Sequence, residues 1–229
     1  MSKVWLVSYP RSGNTWMRFL MANILYPDKD INYRSINRLV PDIHQQQNWA
    51  KEGVENPQFI KSHFKFKDDY RRVIYLYRDG RDAAISLYYF YMLDEKGLSF
   101  DQFFCQQFIS GQLLFGDWKK HITFWMFEDH KIEFLPIRYE ELYSDTRWEL
   151  AKMAKFSDIK ATIAEIETAV DKSSFEELEK IRARDGVHPK MKGLRGKPGG
   201  WRETFTKSQN GMFWDYAGDL MEKLGYKKE

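Results

Sequence analysis

Short apolar runs alternate along this chain with longer stretches in which apolar residues recur every three or four positions. The short runs are typical of strands, and they occur at residues 4–7, 58–63, 72–78 and 132–139. Helical spacing is found at residues 16–24, 83–90, 99–129, 148–156, 159–170 and 208–224. Strands that alternate with helices predict an α/β fold with a central, mostly parallel β-sheet flanked by helices.

Two stretches refine this picture. Pro136 lies inside the last strand candidate, and a proline that cannot donate to a sheet places that strand at an edge or an end. Residues 28–57 are polar and show no sustained period, which predicts an excursion over the surface.

Composition bounds the class of protein. A chain of 229 residues with 43% hydrophobic and 17% aromatic residues can bury one substantial core, so we expect a single domain over residues 1–229. The net charge of +3 is mild and the basic residues form no long run, which argues against nucleic acid as a partner. Small anionic ligands suit this balance better.

Cysteine usage and the apolar runs bear on location. Cys105 is the one cysteine, so no intramolecular disulfide forms, and no Cys/His cluster with zinc spacing occurs among five histidines; no metal site is expected. The first strand candidate begins at Val4, which leaves no room for a signal peptide, and no run approaches the roughly 20 apolar residues of a membrane helix. We therefore expect a soluble, cytoplasmic protein without membrane insertion.

The turn after the first strand has the features of an anion site. Pro10 and Gly13 turn the chain into a helical pattern, and the first amides of a helix have no intrahelical partner, so with the helix dipole they favour a phosphate or sulfate. Side chains that could add donors are those of Arg11, Ser12, Asn14 and Thr15. The ATP and GTP loop pattern G-x-x-x-x-G-K-[ST] fits poorly, since its first Gly and its Lys are missing.

The ends of two further strand candidates carry polar residues. His63 ends the second run, and so lies at the carboxyl end of its strand, where open α/β sheets bind ligands. A lone histidine there can also be structural. Arg78 ends the third run, and Ser86 follows two helical turns later, so an arginine fork and a hydroxyl could approach one phosphate. The alternative for this segment is a surface charge network, in which Asp79 and Asp82 cap the following helix.

A basic, glycine-rich segment lies near the end of the chain. Residues 194–202 contain three glycines, a proline and three cations, a composition that predicts a mobile basic loop rather than a structural turn alone.

These segments together resemble the PAPS-dependent sulfotransferases, the small cytosolic or bacterial type, which use 3'-phosphoadenosine 5'-phosphosulfate (PAPS). Tyr9–Trp16 resembles their 5'-phosphosulfate loop YPKSGTTW, and Lys61-Ser62-His63 resembles their K-T-H segment. Residues 78–86 resemble their 3'-phosphate segment, and residues 194–202 their closing loop R-K-G-x-x-G-x-x-K. All four signatures stand in family order and cover nearly the whole chain.

The resemblance implies a three-layer, P-loop-like fold and in-line transfer of a sulfuryl group from PAPS to a hydroxyl or amine, with 3',5'-ADP as product and no metal. It implies that His63 is the general base, with Lys61 and Arg11 as further catalytic residues. The residues it assigns to donor binding are Arg11, Ser12, Gly13, Asn14, Thr15, Trp16, Arg78, Ser86, Tyr139, Ser173, Phe175, Arg195, Gly196 and Lys197. Tyr139, Ser173 and Phe175 would lie near the adenine.

Departures from the family pattern leave some roles open. Arg11 stands where the family has Lys, and Leu194 stands where it has Arg, so Lys197 could substitute at the 3'-phosphate. The family's C-terminal dimer segment is not reproduced, which leaves the oligomeric state open. The acceptor could be a small apolar molecule or an anionic one such as a glycan.

Two other functions fit parts of the sequence. A strand that ends near an aspartate also resembles the magnesium-binding strand of a nucleotidase, so a small-molecule kinase that uses ATP and Mg²⁺ is the main alternative. A non-catalytic binder of phosphorylated nucleotides is the third, and it gives His63 no task.

Overall fold

The computed structural model describes residues 3–49, 53–65, 69–91, 93, 95–187 and 196–229. Its strands are β1 (Val4–Ser8), β2 (Phe59–Ser62), β3 (Arg72–Tyr77) and β4 (Glu133–Arg138). They form one sheet in the order β2-β1-β3-β4, in which β1 pairs in parallel with both neighbours. The predicted α/β fold with a parallel central sheet is confirmed, and the proline-containing strand lies at an edge, as expected.

The helices of the described ranges follow the strands along the chain. They are α1 (Asn14–Leu25), α2 (Ser35–Leu39), α3 (Gly80–Phe90), α4 (Phe100–Phe103), α5 (Trp118–Phe127), α6 (Tyr139–Ser144), α7 (Thr146–Phe156), α8 (Ile163–Lys172), α9 (Phe175–Arg184), α10 (Trp201–Thr204) and α11 (Lys207–Lys223). A 3₁₀-helix spans Ile43–Asn48, and a π-helix, Phe104–Phe108, continues α4. No helix in these ranges has the length and apolar character needed to cross a membrane.

Capping side chains decide where several helices begin. Ser99 and Gln102 form the capping box expected at α4. The helix predicted from residue 159 begins only at Ile163, because Thr162 and Glu165 form a capping box that satisfies the first amides there. The stretch 28–57, expected to be a surface excursion without a sustained period, contains α2 and the 3₁₀-helix, which are too short to produce a visible period.

The described residues fall into two compact units. The first comprises those of Met1–Ser8, Gly13–Leu76 and Lys131–Pro189, and it holds nearly all of the sheet. Every residue of β1 is buried, which explains its unbroken apolar run. Side chains of β1, α1, α7 and α8 build its core, including Leu6, Leu20 and Met153.

The second unit comprises the described residues of Tyr9–Ser12, Tyr77–His130 and Lys190–Glu229. Its interior is aromatic: Phe104 stacks on Phe108 in the π-helix, and Phe205 packs edge-on against Phe104. Arg81 is buried there, with its guanidinium 3.5 Å from the ring centroid of Trp201 and an ion pair to Asp79 of 2.8 Å. The single-domain organisation over residues 1–229 stays a prediction.

Candidate active site

The second unit brings together the arginines and the serine that were predicted to bind phosphate. The Arg11 Nε atom donates to the Ser86 hydroxyl at 3.0 Å, and the Arg11 guanidinium lies 4.6 Å from the ring centroid of Phe90. The buried Arg78 donates to the main-chain oxygen of Arg11 at 3.4 Å. Three residues from two distant segments thus form one cationic cluster, which is the chemistry that a phosphate group requires.

The turn that carries Arg11 has an unusual backbone. Arg11 has a φ of 69°, in the left-handed region that residues other than glycine seldom adopt. The next residue, Ser12, is fully buried, and its hydroxyl oxygen has no hydrogen-bond partner among the described residues. A buried hydroxyl without a partner is unusual and fits an anion that binds at this turn.

The C-terminal part of the glycine-rich segment is hydrogen-bonded to a buried carboxylate of the same unit. Asp82 accepts hydrogen bonds from the main-chain amides of Gly199 at 2.7 Å and Trp201 at 2.9 Å, and it lies 3.6 Å from the Arg78 guanidinium. Burial raises the pKa of Asp82, and the charge of Arg78 opposes this shift. Arg78 also donates to the main-chain oxygen of Lys197 at 3.4 Å.

The two aspartates after β3 therefore have different roles. Asp79 is the N-cap of α3, as predicted, and accepts from the Arg81 amide at 2.9 Å. Asp82 lies in the first turn of α3, but the hydrogen bonds it accepts there come from the glycine-rich segment.

Of the residues predicted to bind the donor in the glycine-rich segment, Gly196 and Lys197 are described, whereas Arg195 lies outside the described residues.

Removal of the Asp82 carboxylate should destabilise the protein. Asp82→Ala breaks a buried ion pair with Arg78 and removes the acceptor of the Gly199 and Trp201 amides, which costs about 3–5 kcal/mol in the free energy of unfolding. A loss of this size lowers the melting temperature by roughly 6–20 °C in a chain of this length. Thermal unfolding followed by circular dichroism measures the change.

The matched control is Asp219→Ala, which removes an exposed carboxylate 2.8 Å from Lys119. Because exposed ion pairs contribute about 0–1 kcal/mol, its melting temperature should stay near that of the wild type. Equal small shifts in both variants would contradict the anchoring role of Asp82.

In the first unit, the residue that precedes α1 is a glycine with no room for a side chain. Gly13 is the N-cap with a φ of 101°, and a Cβ atom there would lie 2.5 Å from the Tyr139 ring. Asn14 follows, and its side-chain amide donates to the main-chain oxygen of Leu6 and to the Ser8 hydroxyl, both at 3.1 Å. Thr15 is exposed. Asn14 thus ties the helix start to β1, and ligand contacts by Asn14 and Thr15 stay predictions.

The residues predicted to lie near adenine, Tyr139, Ser173 and Phe175, come together around Trp16, and the three rings among these four residues form an aromatic cluster. The Trp16 ring lies 4.8 Å from the Phe175 ring and 5.9 Å from the Tyr139 ring, measured between centroids. The Trp16 indole N–H donates to the main-chain oxygen of Ser173 at 2.9 Å. Ser173 is fully buried, and its hydroxyl accepts a hydrogen bond from the Asn23 side-chain amide at 3.0 Å, which is a structural contact.

His63 follows the last residue of β2 and is held by β1. Its Nδ1 atom lies 2.8 Å from the main-chain oxygen of Ser8 and 3.4 Å from the Ser8 hydroxyl. A carbonyl oxygen can only accept, so the close contact assigns the proton to Nδ1 and leaves the lone pair on Nε2. An imidazole in this tautomer can remove a proton through Nε2.

Two residues that contact the end of β2 and His63 were not predicted from the sequence: His44, which contacts His63, and Asp42, which contacts Lys61. The main-chain amide of His63 donates to Nε2 of His44 at 3.0 Å, and the two rings stack with centroids 5.6 Å apart. Lys61 was predicted to act near the transferred group, but its ammonium lies 2.6 Å from Asp42 with both side chains largely buried. His44 and Asp42 lie in the polar stretch 28–57, where neither spacing nor a motif marks them.

A metal site needs acidic, histidine or cysteine side chains that lie close together. Among the described residues, no group of three or more such side chains is arranged to hold an ion. The charged groups at the candidate site are therefore guanidinium and ammonium ions and the carboxylates that pair with them.

Comparison with known proteins identifies the family. The family model described as the sulfotransferase domain matches residues 1–225. The chain belongs to the sulfotransferase family. This membership confirms the resemblance found in the sequence and makes the chain a transferase of the sulfur-group class.

Two curated human relatives show how far this sulfotransferase-family chain has diverged. It is 27% identical to Sulfotransferase 2A1 over 249 residues, which covers 96% of this chain and 85% of the relative. It is 25% identical to Sulfotransferase 1E1 over 238 residues, which covers 91% of this chain and 80% of the relative.

Solved structures share the fold of this sulfotransferase-family chain. Mouse sulfotransferase SULT7A1 complexed with PAP has a TM-score of 0.71 and 23% identity, over 96% of this chain and 84% of that one. Retinol dehydratase in complex with androsterone and inactive cofactor PAP also has a TM-score of 0.71, with 19% identity over 96% and 80% of the two chains.

Proposed function

We propose that this chain transfers the sulfuryl group of PAPS to a hydroxyl or amine of an acceptor and releases 3',5'-ADP. The observation that carries the proposal is the hydrogen bond from His63 Nδ1 to the Ser8 main-chain oxygen, 2.8 Å long, which leaves Nε2 as a base. The solved sulfotransferase and retinol dehydratase that share this fold were both captured with PAP, which supports PAPS as the donor.

His63 acts as the general base in this proposal. Its Nε2 atom takes the proton from the acceptor oxygen or nitrogen as that atom forms a bond to sulfur, and the imidazolium later returns the proton to water. An unperturbed imidazole pKa of about 6.5 lies close to working pH, which suits both steps. The bond from sulfur to the bridging oxygen breaks in line, and its electron pair stays on the 5'-phosphate.

The cationic cluster of the second unit binds phosphate in this proposal. Arg11 neutralises the charge that develops on the leaving 5'-phosphate, with the turn amides and the Ser12 hydroxyl as further donors. Arg78 and Ser86 bind the 3'-phosphate, and Gly196 and Lys197 belong to the loop that closes over it. Because a guanidinium stays protonated, Arg11 stabilises the leaving oxygen without handing it a proton.

The aromatic cluster of the first unit binds adenine in this proposal. Trp16, Tyr139 and Phe175 offer ring faces, and base stacking on aromatic side chains contributes about 1–3 kcal/mol per base in nucleic-acid complexes.

Lys61 acts near the transferred sulfuryl group in this proposal. Its ammonium lies 2.6 Å from Asp42, so it must contact the sulfuryl group and this carboxylate at the same time.

A thermal-shift comparison separates this function from that of a kinase. A ligand at a hundred times its dissociation constant stabilises the folded state by about 2.7 kcal/mol, which raises the melting temperature by roughly 5–11 °C in a chain of this size. We expect such a rise with 3',5'-ADP and a smaller one with 5'-AMP, which lacks the 3'-phosphate. A larger rise with ATP and Mg²⁺ would favour phosphoryl transfer.

The acceptor is proposed to be a small molecule. Retinol dehydratase, which shares the fold, was solved in complexes with androsterone and with retinol, both small, largely apolar molecules with a hydroxyl group. We expect a phenol or alcohol to serve this chain at least as well as an anionic glycan.

A further inference from the structure

The segment that precedes β2 is attached to that strand by Asp42. Asp42 pairs with Lys61 of β2 through an isolated parallel bridge and caps the 3₁₀-helix by accepting from the His44 amide at 3.0 Å. The Lys61 ammonium binds the other oxygen of the same carboxylate at 2.6 Å. The carboxylate therefore fixes the position of His44 relative to β2.

His44 then supplies an acceptor where the sheet no longer does. β2 ends at Ser62, and the amide of His63 donates to Nε2 of the His44 ring at 3.0 Å. A main-chain amide can only donate, so His44 must be neutral, with its proton on Nδ1. The ring thereby fixes the backbone of the residue that carries the base.

The side chains of the two histidines are also fixed against each other. Their rings stack at 16° between planes, and the Phe64 ring meets the His44 ring at 60° with centroids 4.2 Å apart. His44 thus lies in ring contact with both His63 and Phe64. Together with the bond from Nδ1 to Ser8, these contacts leave His63 little freedom to turn its Nε2 atom away.

We propose that His44 is a positioning residue for the general base His63, and that it must be neutral for the enzyme to turn over; this inference rests on the proposed function. Protonation of His44 would remove the acceptor of the His63 amide. It would also place a positive ring against an imidazole that must itself become positive during transfer.

Charged and titratable groups of two segments of the first unit bear on the protonation of His44. Asp42 accepts from the His44 amide in the same segment, and the ammonium of Lys61 neutralises that carboxylate. His63 contacts the His44 ring from the end of β2. Two histidines in contact should therefore give the acid limb of the rate profile a slope steeper than that for a single proton.

The kinetic test compares two substitutions, with PAPS as donor and 2-naphthol as probe acceptor. His44→Phe retains a stacking ring but cannot accept the amide, and we expect kcat to fall roughly ten- to a hundredfold with little change in the KM for PAPS. His44→Gln retains a neutral acceptor. It should keep kcat within about threefold at neutral pH and show an acid limb with the slope of one proton.

The matched control is His130→Phe. His130 lies in the second unit, and its ring bonds a main-chain oxygen, that of Phe124, at 2.7 Å. The same exchange of imidazole for phenyl should leave kcat unchanged there. Wild-type kcat in His44→Phe, or an unchanged acid limb in His44→Gln, would overturn the proposal.

A second readout needs neither turnover nor a variant that folds well. Long-range ¹H–¹⁵N spectra of the wild type should show His44 and His63 as Nδ1–H tautomers at neutral pH, and a proton on Nε2 of His44 would overturn the proposal. A wild type without turnover on any acceptor contradicts the proposed function alone, since these spectra still decide whether His44 holds His63.

Discussion

Replacement of His63 by alanine should abolish most turnover and leave donor binding intact. Loss of a general base lowers kcat by about 10²–10⁴-fold. The affinity for 3',5'-ADP should stay within roughly threefold, below about 0.7 kcal/mol, because the phosphates and the adenine are assigned to other residues. Steady-state kinetics with a panel of phenols, alcohols and amines, and calorimetry with 3',5'-ADP, measure the two effects.

The effects of His63→Ala on turnover and on 3',5'-ADP binding together identify the role of His63. His63→Ala and the control His130→Ala each remove one imidazole, and only the first should affect kcat. Wild-type turnover in His63→Ala would remove His63 from the mechanism. A parallel loss of 3',5'-ADP binding would assign His63 to the donor site instead.

Replacement of Arg11 by alanine should have the second-largest effect. The guanidinium is the group assigned to the charge on the leaving phosphate, and removal of one such stabilising donor costs about 10²–10³ in kcat. Arg11→Lys retains the positive charge and restores the residue usual at this position in the family resemblance. We expect its kcat to stay within about an order of magnitude of the wild type, which corresponds to less than about 1.4 kcal/mol.

The comparison of the two Arg11 variants separates charge from geometry. Arg11 donates from Nε to Ser86 at 3.0 Å and stacks on Phe90, and a lysine can reproduce neither contact. A loss in Arg11→Lys as deep as that in Arg11→Ala would show that the planar fork, not the charge, is what matters. Arg147→Ala, which removes an arginine side chain 65% exposed to solvent, serves as the control.

The strands and the residues of the cationic cluster could be predicted from the sequence because each has a local signal. β1 is an unbroken apolar run since it is buried throughout. Arg78 and Ser86 stand at a spacing that suits one anion, and both are found in contact with Arg11, by way of its main-chain oxygen and its Nε atom. Predictions of this kind depend on residues that are close in sequence or that follow a strand.

The support around these residues could not be predicted in the same way. Asp82 was predicted to cap the following helix, and its bonds to Gly199 and Trp201 cross more than a hundred positions of the chain. His44 lies in a stretch without periodicity, and only the fold brings it to His63. Single polar residues that act through long-range contacts leave no pattern in a sequence.

The most direct test of the account is the transfer of labelled sulfur from PAPS to a panel of phenols, alcohols and amines, measured together with the release of 3',5'-ADP. We predict that label will enter at least one acceptor in equal amount to the 3',5'-ADP formed, and that His63→Ala will lower both rates together. Release of 3',5'-ADP without a sulfated acceptor, or transfer of a phosphoryl group from ATP in place of sulfur, would contradict it.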